Sequence, residues 1–151
     1  MLALIRELAE YERLAHEVTA TAEDVAGALF GEGPDAEALL AFNDGEPVGF
    51  ALFFHNYSTF VGRRGLYLED LFVRPAARGL GIGQALLRRL AAVARERDCS
   101  RMEWAVLDWN APAIGFYQAL GAQAMDAWTV YRLDGANLAA LADGVAPEQN
   151  A

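Results

Sequence analysis

The most informative patterning in the chain runs from Leu66 to Leu90, LYLEDLFVRPAARGLGIGQALLRRL. It opens as a strand in which Leu66, Tyr67, Leu68, Leu71, Phe72 and Val73 surround two acids, Glu69 and Asp70. Pro75, with no N–H for a ladder, ends it. Gly79, Gly81 and Gly83 then alternate directly after Arg78. From Gln84 the apolar spacing turns helical, with Leu86, Leu87, Leu90 and Val93 on one side and Arg88 and Arg89 on the other. A strand therefore feeds a glycine-rich turn that opens a helix.

The rest of the chain reads around that unit. Residues 1–15 pattern as an amphipathic helix with Leu4, Ile5, Leu8 and Tyr11 on one side. Thr21-x-x-Asp24 caps a second helix, whose apolar side is Val25, Leu29 and Phe30 and which Gly31 ends. Residues 36–42 and 48–55 are strands about the turn Asn43-Asp44-Gly45-Glu46-Pro47, with Gly49 marking a bulge. Residues 57–65 read as a loop. Downstream, residues 100–107 alternate as a strand, with Met102, Trp104 and Val106 opposite Glu103. Pro112 suits the first turn of a helix through Ile114, Phe116 and Tyr117, which Gly121 closes. A last strand over residues 125–133 carries Trp128, and residues 137–141 form a short helical turn. One domain is expected over residues 1–142, with residues 143–151 as a disordered tail.

Composition narrows the function classes. A chain of 151 residues buries roughly 70% of its unfolded surface, enough for one core without staples. A single cysteine, Cys99, excludes an internal disulfide. The absence of a signal peptide or apolar span makes a cytoplasmic location the expectation, with no membrane partner. A net charge of −9 argues against nucleic acid and suits a cationic ligand, although acidity also serves plain solubility. No metal site is expected: His16 has no carboxylate or cysteine at ligand spacing, and His55 reads as a strand residue.

The glycine turn has a chemical use. The first N–H groups of a helix have no internal partner, and the macrodipole adds partial positive charge there. Glycines let these groups converge on a phosphate or pyrophosphate, although they also occur as mere turn residues. A Walker loop needs GxxxxGK[ST] and no lysine follows; a dinucleotide GxGxxG fails at Gln84. The stretch RGLGIG resembles instead the acyl-CoA loop of the GNAT superfamily of N-acetyltransferases, with Arg78, Gly81 and Gly83 at its pattern positions. YLEDLFV, LDWN, AIGFYQALGA and a following Trp extend the likeness, from about Leu4 to Leu141, to the diamine and thialysine acetyltransferase branch.

That resemblance implies an α/β fold of the α+β kind: a mixed, mostly antiparallel sheet flanked by helices, with the family's first strand missing here. It implies acetyl-CoA as co-substrate, no metal, a small-molecule amine as acceptor and a homodimer. The backbone of Leu71, Phe72 and Val73 would hold the pantetheine arm. Arg78, Gly79, Leu80, Gly81, Ile82, Gly83 and Gln84 would cradle the diphosphate, with Asn110 and Tyr117 as further cofactor contacts. Glu69 would hold the amine and take its proton, with Asp70 as the weaker candidate and strand-edge solubility as the plainer role of both. Adjacent strand residues face opposite sides, so only one of the two reaches the amine unless a bulge intervenes. Tyr117 would act as acid toward the leaving thiolate. Tyr11, Glu12, Glu103, Trp109 and Trp128 would line the amine pocket, or simply pack, and Phe60 would roof it. A protein or peptide acetyltransferase and a non-catalytic acyl-CoA sensor are the alternatives.

Overall fold

A computed structural model of the protein describes residues 1–145. Two compact units divide the chain, one over Met1–Trp109 and the other from Asn110 onward. The first contains helix α1 (Leu2–Tyr11), helix α2 (Ala22–Phe30), strands β1 (Glu37–Asn43), β2 (Glu46–Ser58) and β3 (Arg63–Val73), helix α3 (Ile82–Glu96) and the short strand β4 (Met102–Glu103). The second contains helices α4 (Ala111–Ala119) and α5 (Gly135–Ala142). No strand precedes α1 among the described residues.

The sheet has the order β1-β2-β3-β4, antiparallel in its first two pairings and parallel in its last. Asp44 and Gly45, with φ of 50° and 84°, make the two-residue turn that matches strand twist between β1 and β2. A bulge follows beside Gly49: Ala41 pairs with Gly49 and Phe42 with Pro47, leaving Val48 over. The β2–β3 hairpin is longer than its composition indicates. Residues 57–58 and 63–65, expected in a loop, complete the two strands, and only Thr59–Gly62 turn. Gly62 closes that turn with φ of 70°, its N–H donating to the Ser58 carbonyl at 2.8 Å.

Period-two alternation distributes the core to two faces. On one, α1 packs through Leu4 and Leu8 onto Phe50 and Phe72, with Met1, Ile5, Tyr11 and Leu52 around them. On the other, α3 lies against the strands, burying Leu86, Leu87, Leu90 and Val93, with Ala51, Phe53, Leu66 and Leu68 buried in β2 and β3. Arg97, at the end of α3, lies 5.9 Å over the Phe53 ring and is paired with Glu37 of β1. At the other end of β3, Arg74 grips Glu7 of α1 by two hydrogen bonds of 2.8 and 2.7 Å and donates a third to the Pro47 carbonyl.

Three elements differ from their sequence patterns. Helix α1 stops at Tyr11 rather than Ala15, because Arg13 takes φ of 63° and the N–H groups of Arg13 and Leu14 turn back to the carbonyls of Glu10 and Ala9. Strand β4 keeps only two of the eight residues expected over 100–107, since its parallel pairing with β3 covers only Leu66 and Tyr67. The strand expected over residues 125–133 does not form among the described residues. An extended segment becomes a strand only when a neighbour takes its backbone groups, and here Met125, Trp128, Val130 and Tyr131 are exposed. In α2 the capping box forms as expected, but Phe30 is 84% exposed. Asp143–Val145 close α5 by hydrogen bonds to its last carbonyls; the remainder of the expected tail lies outside the described residues.

Two phenylalanines give opposite expectations. Phe50 is fully buried between α1 and Phe72, so Phe50→Ala should cost about 3–5 kcal/mol in denaturant unfolding. Phe30→Ala should stay within about 0.5 kcal/mol of the parent.

Candidate active site

The two acids of β3 sit at a second bulge. Leu52 pairs with Asp70 and Phe53 with Leu68, so Glu69 has no residue opposite it. One extra residue reverses the alternation. Asp70 and Phe72 consequently share the α1 face with Tyr67, instead of falling on the face of Leu66 and Leu68. The carboxyl of Asp70 is half-buried there and pushed up to about 6, by burial first and then by the charges of Glu69 and Glu12. Glu12, which follows the last turn of α1, is itself raised by burial. The Tyr67 phenol is raised by burial and then by Glu69 and Glu103. The field of Glu69, exposed on the bulge, thus reaches both Asp70 and Tyr67.

Aromatic and guanidinium groups flank this acidic corner. The rings of Tyr11 and Trp109 lie 6.1 Å apart. Arg13 sits 5.3 Å from the Trp109 ring, and Arg78 sits 4.6 Å from that of Tyr11 and 6.0 Å from that of Phe72. Arg78 also donates from Nε to the Val73 carbonyl at 2.9 Å, tying the glycine turn to the end of β3. Of the expected pocket-lining residues, Tyr11, Glu12, Asp70 and Trp109 therefore gather in one region. Phe60 does not roof it: it is 98% exposed at the tip of the β2–β3 turn.

Glu103 lies opposite Tyr67 in the parallel register. Its Oε2 accepts from Asn56 Nδ2 at 2.9 Å and pairs with Arg101 Nε at 2.7 Å. The Asn56 Oδ1 is buried without a hydrogen-bond partner among the described residues. Gly65 makes room for this group, since a Cβ there would collide with Asn56 Oδ1. Phe54 stacks against Tyr67 at 5.1 Å on the same face. Asn56, Tyr67 and Arg101 escape sequence inspection, because only the register brings them to Glu103.

The turn before α3 suits an anion. Gly79 and Gly81 both have φ of 79°, and Gly81 is the N-cap with no side chain capping the helix. The first bond into the helix is Ala85 N–H to the Gly81 carbonyl at 2.9 Å, so the N–H groups of Ile82, Gly83 and Gln84 have no helical partner. Beyond Tyr67, the edge of β3 turned from β2 takes no strand partner among the described residues. Free amides at a helix start beside an open strand edge fit the diphosphate and amide-bearing arm of coenzyme A.

In the second unit, Asn110 is buried and caps α4, its Oδ1 accepting from Ala113 N–H at 3.4 Å. Tyr117 is half-buried on α4 with its ring 5.4 Å from Phe116. Gly121, with φ of 88°, ends the helix as its position suggests. Trp128 is 73% exposed. A hollow of about 320 Å³ at the far end of β3, lined by Tyr57, Gly62, Arg63, Arg64, Arg97 and Asp98, contains none of the expected site residues. Among the described residues no cluster of His, Cys, Asp and Glu is suited to a metal ion, and no helix is long and apolar enough to cross a membrane.

Known proteins resemble this chain in sequence and in fold. The profile of the Acetyltransferase (GNAT) family matches residues 2–122. A thialysine N-epsilon-acetyltransferase of Bos taurus is 42% identical over 94% of this chain and 89% of its own. An L-ornithine N5-acetyltransferase of Arabidopsis thaliana is 43% identical over 73% of this chain and 49% of its own. Among solved structures, an integron cassette protein from the mobile metagenome of V. cholerae superposes with a TM-score of 0.76 at 31% identity, covering 90% of this chain and 85% of that one. The chain belongs to the GNAT family of acetyltransferases.

Proposed function

We propose that this enzyme moves the acetyl group of acetyl-CoA directly to a small cationic amine, of the polyamine, thialysine or lysine-like class. The names of its relatives support that class. The observation that carries it is the bulge, beside which burial, Glu69 and Glu12 push the Asp70 carboxyl up to about 6. Three carboxylates around an aromatic wall suit a ligand that arrives as a cation and must leave its proton behind.

The chemistry turns on that proton. Only the neutral amine attacks, and a lysine-like ammonium has a pKa of about 10.4. Transfer to an ordinary carboxylate near 3.9 is uphill by roughly 9 kcal/mol. Against a carboxyl near 6 the gap falls to about 6 kcal/mol. Asp70 is therefore the better-matched base, directly or through a water, and Glu69, exposed on the bulge, holds the ammonium. Backbone N–H groups of Ile82, Gly83 and Gln84, with the turn Arg78–Gly81, would hold the diphosphate, and the edge of Leu71–Val73 the pantetheine arm. When bound, acetyl-CoA supplies the thioester carbonyl. By the family resemblance, Asn110 would be a further contact to its arm, and Tyr117 would donate a hydrogen bond to the charge that develops on sulfur. The enzyme is cytoplasmic and homodimeric on this reading, the exposed apolar residues Trp128, Val130 and Tyr131 being the surface a second copy would cover.

Thiol release from acetyl-CoA across ornithine, lysine, thialysine and spermidine tests the assignment; no release with any amine would defeat it. Asp70→Asn should lower kcat/KM about 100-fold and abolish an acidic limb near pH 6. Glu12→Gln should move that limb down, since removing a neighbouring negative charge eases ionisation of Asp70; a limb unmoved by either change excludes Asp70 as base. Tyr117→Phe should reduce kcat by about 10-fold with acceptor KM unchanged. Sedimentation equilibrium should give a dimer, and a monomer at micromolar concentration would remove the assembly.

A further inference from the structure

One polar cluster on the α1 face of the sheet has no part in the proton chemistry. Glu103 Oε2 receives both Asn56 Nδ2 and Arg101 Nε, which leaves Glu103 Oε1 and both Arg101 Nη groups without partners among the described residues. The side chains of Arg101 and Glu103 are 40% and 36% exposed, so these free atoms are accessible. A planar two-pronged donor beside a free carboxylate oxygen complements a ligand with a carboxylate and an ammonium on one carbon. Gly65 supports the arrangement, since any side chain there would displace the Asn56 amide.

The spacing matches the same ligand. Glu103 is opposite Tyr67, and Asp70 follows Tyr67 by three residues, one of them the bulged Glu69. Two or three residues of strand and one strand spacing separate Asp70 from Glu103, about 10 Å. An extended ornithine or lysine side chain covers about 5–6 Å, and a hydrogen bond of about 2.8 Å at each end completes the distance. Tyr67, stacked on Phe54, provides an aromatic surface between the two ends.

We propose that Arg101 and Glu103, with Asn56 as a positioning residue, form the subsite for the α-carboxylate and α-ammonium of a free basic amino acid. This rests on the acceptor end of the reading above, in which the distal amine reaches Asp70. It makes Arg101 a specificity determinant: a diamine of the same length can still offer its second ammonium to Glu103 but has no carboxylate for the guanidinium.

The test compares lysine with cadaverine, and ornithine with putrescine, pairs that differ only in the carboxylate. The parent should prefer each amino acid by at least about 10-fold in kcat/KM, through KM. Arg101→Gln should collapse that ratio to within about 2-fold of one, and Arg101→Lys should restore part of it. Calorimetry of lysine into the protein with coenzyme A present should show the same loss in Arg101→Gln. Equal use of amino acid and diamine by the parent, or a ratio unchanged in a folded Arg101→Gln protein, overturns the subsite. If no amine is acetylated, the functional reading fails instead, while lysine binding in the calorimeter still decides for or against Arg101 and Glu103.

Discussion

A single surplus residue in β3 governs the arrangement of this enzyme. On one side of Glu69 the strand is locked by Leu66 and Leu68, buried on the α3 face; on the other it is locked by Phe72, buried with Phe50, Leu4 and Leu8 on the α1 face. Each flank is fixed in its own register by packing, and the two differ by one residue. A one-residue register shift of either flank would exchange its buried for its exposed side chains, so the surplus residue is confined between Leu68 and Leu71. The pairing of Asp70 with Leu52 puts it on the face where Glu12, Tyr11 and Trp109 gather.

That position is electrostatically unfavourable in the free protein. Burial and two neighbouring carboxylates all oppose ionisation of Asp70. On the proposed reading, an arriving ammonium would offset those terms, and the same environment would suit the carboxyl to receive a proton. The net charge of −9 extends the attraction outward, so the overall field and the local site favour the same class of ligand. At the other end of the region, Arg78 lies over the rings of Tyr11 and Phe72 while its Nε donates to the Val73 carbonyl, coupling that aromatic wall to the start of the glycine turn.

Much of this was legible in the residues. The strand–glycine–helix unit, the capping box of α2 and the β1–β2 turn follow from local chemistry, and the family likeness rests on RGLGIG and YLEDLFV. The bulge was not legible: apolar residues stand on both parities on either side of Glu69 and Asp70, as Tyr67 and Phe72 show, and only pairing with β2 reveals which residue is surplus. Long-range register was not legible. Nothing local to Asn56, Arg101 and Glu103 announces that pairing brings them together, and nothing local to Arg13 announces the positive φ that ends α1 early. The expected strand over residues 125–133 failed for the same reason, since strand propensity does not supply a partner edge.

Central to all of this is the carboxyl of Asp70, held on the α1 face with the charges of Glu69 and Glu12 acting on it. A carbon-13 NMR titration of the aspartate carboxyls, with Asp70 assigned from the spectrum of Asp70→Asn, measures that directly. A midpoint near 6 is expected for Asp70. A midpoint near the ordinary aspartate value of about 3.9 would contradict it.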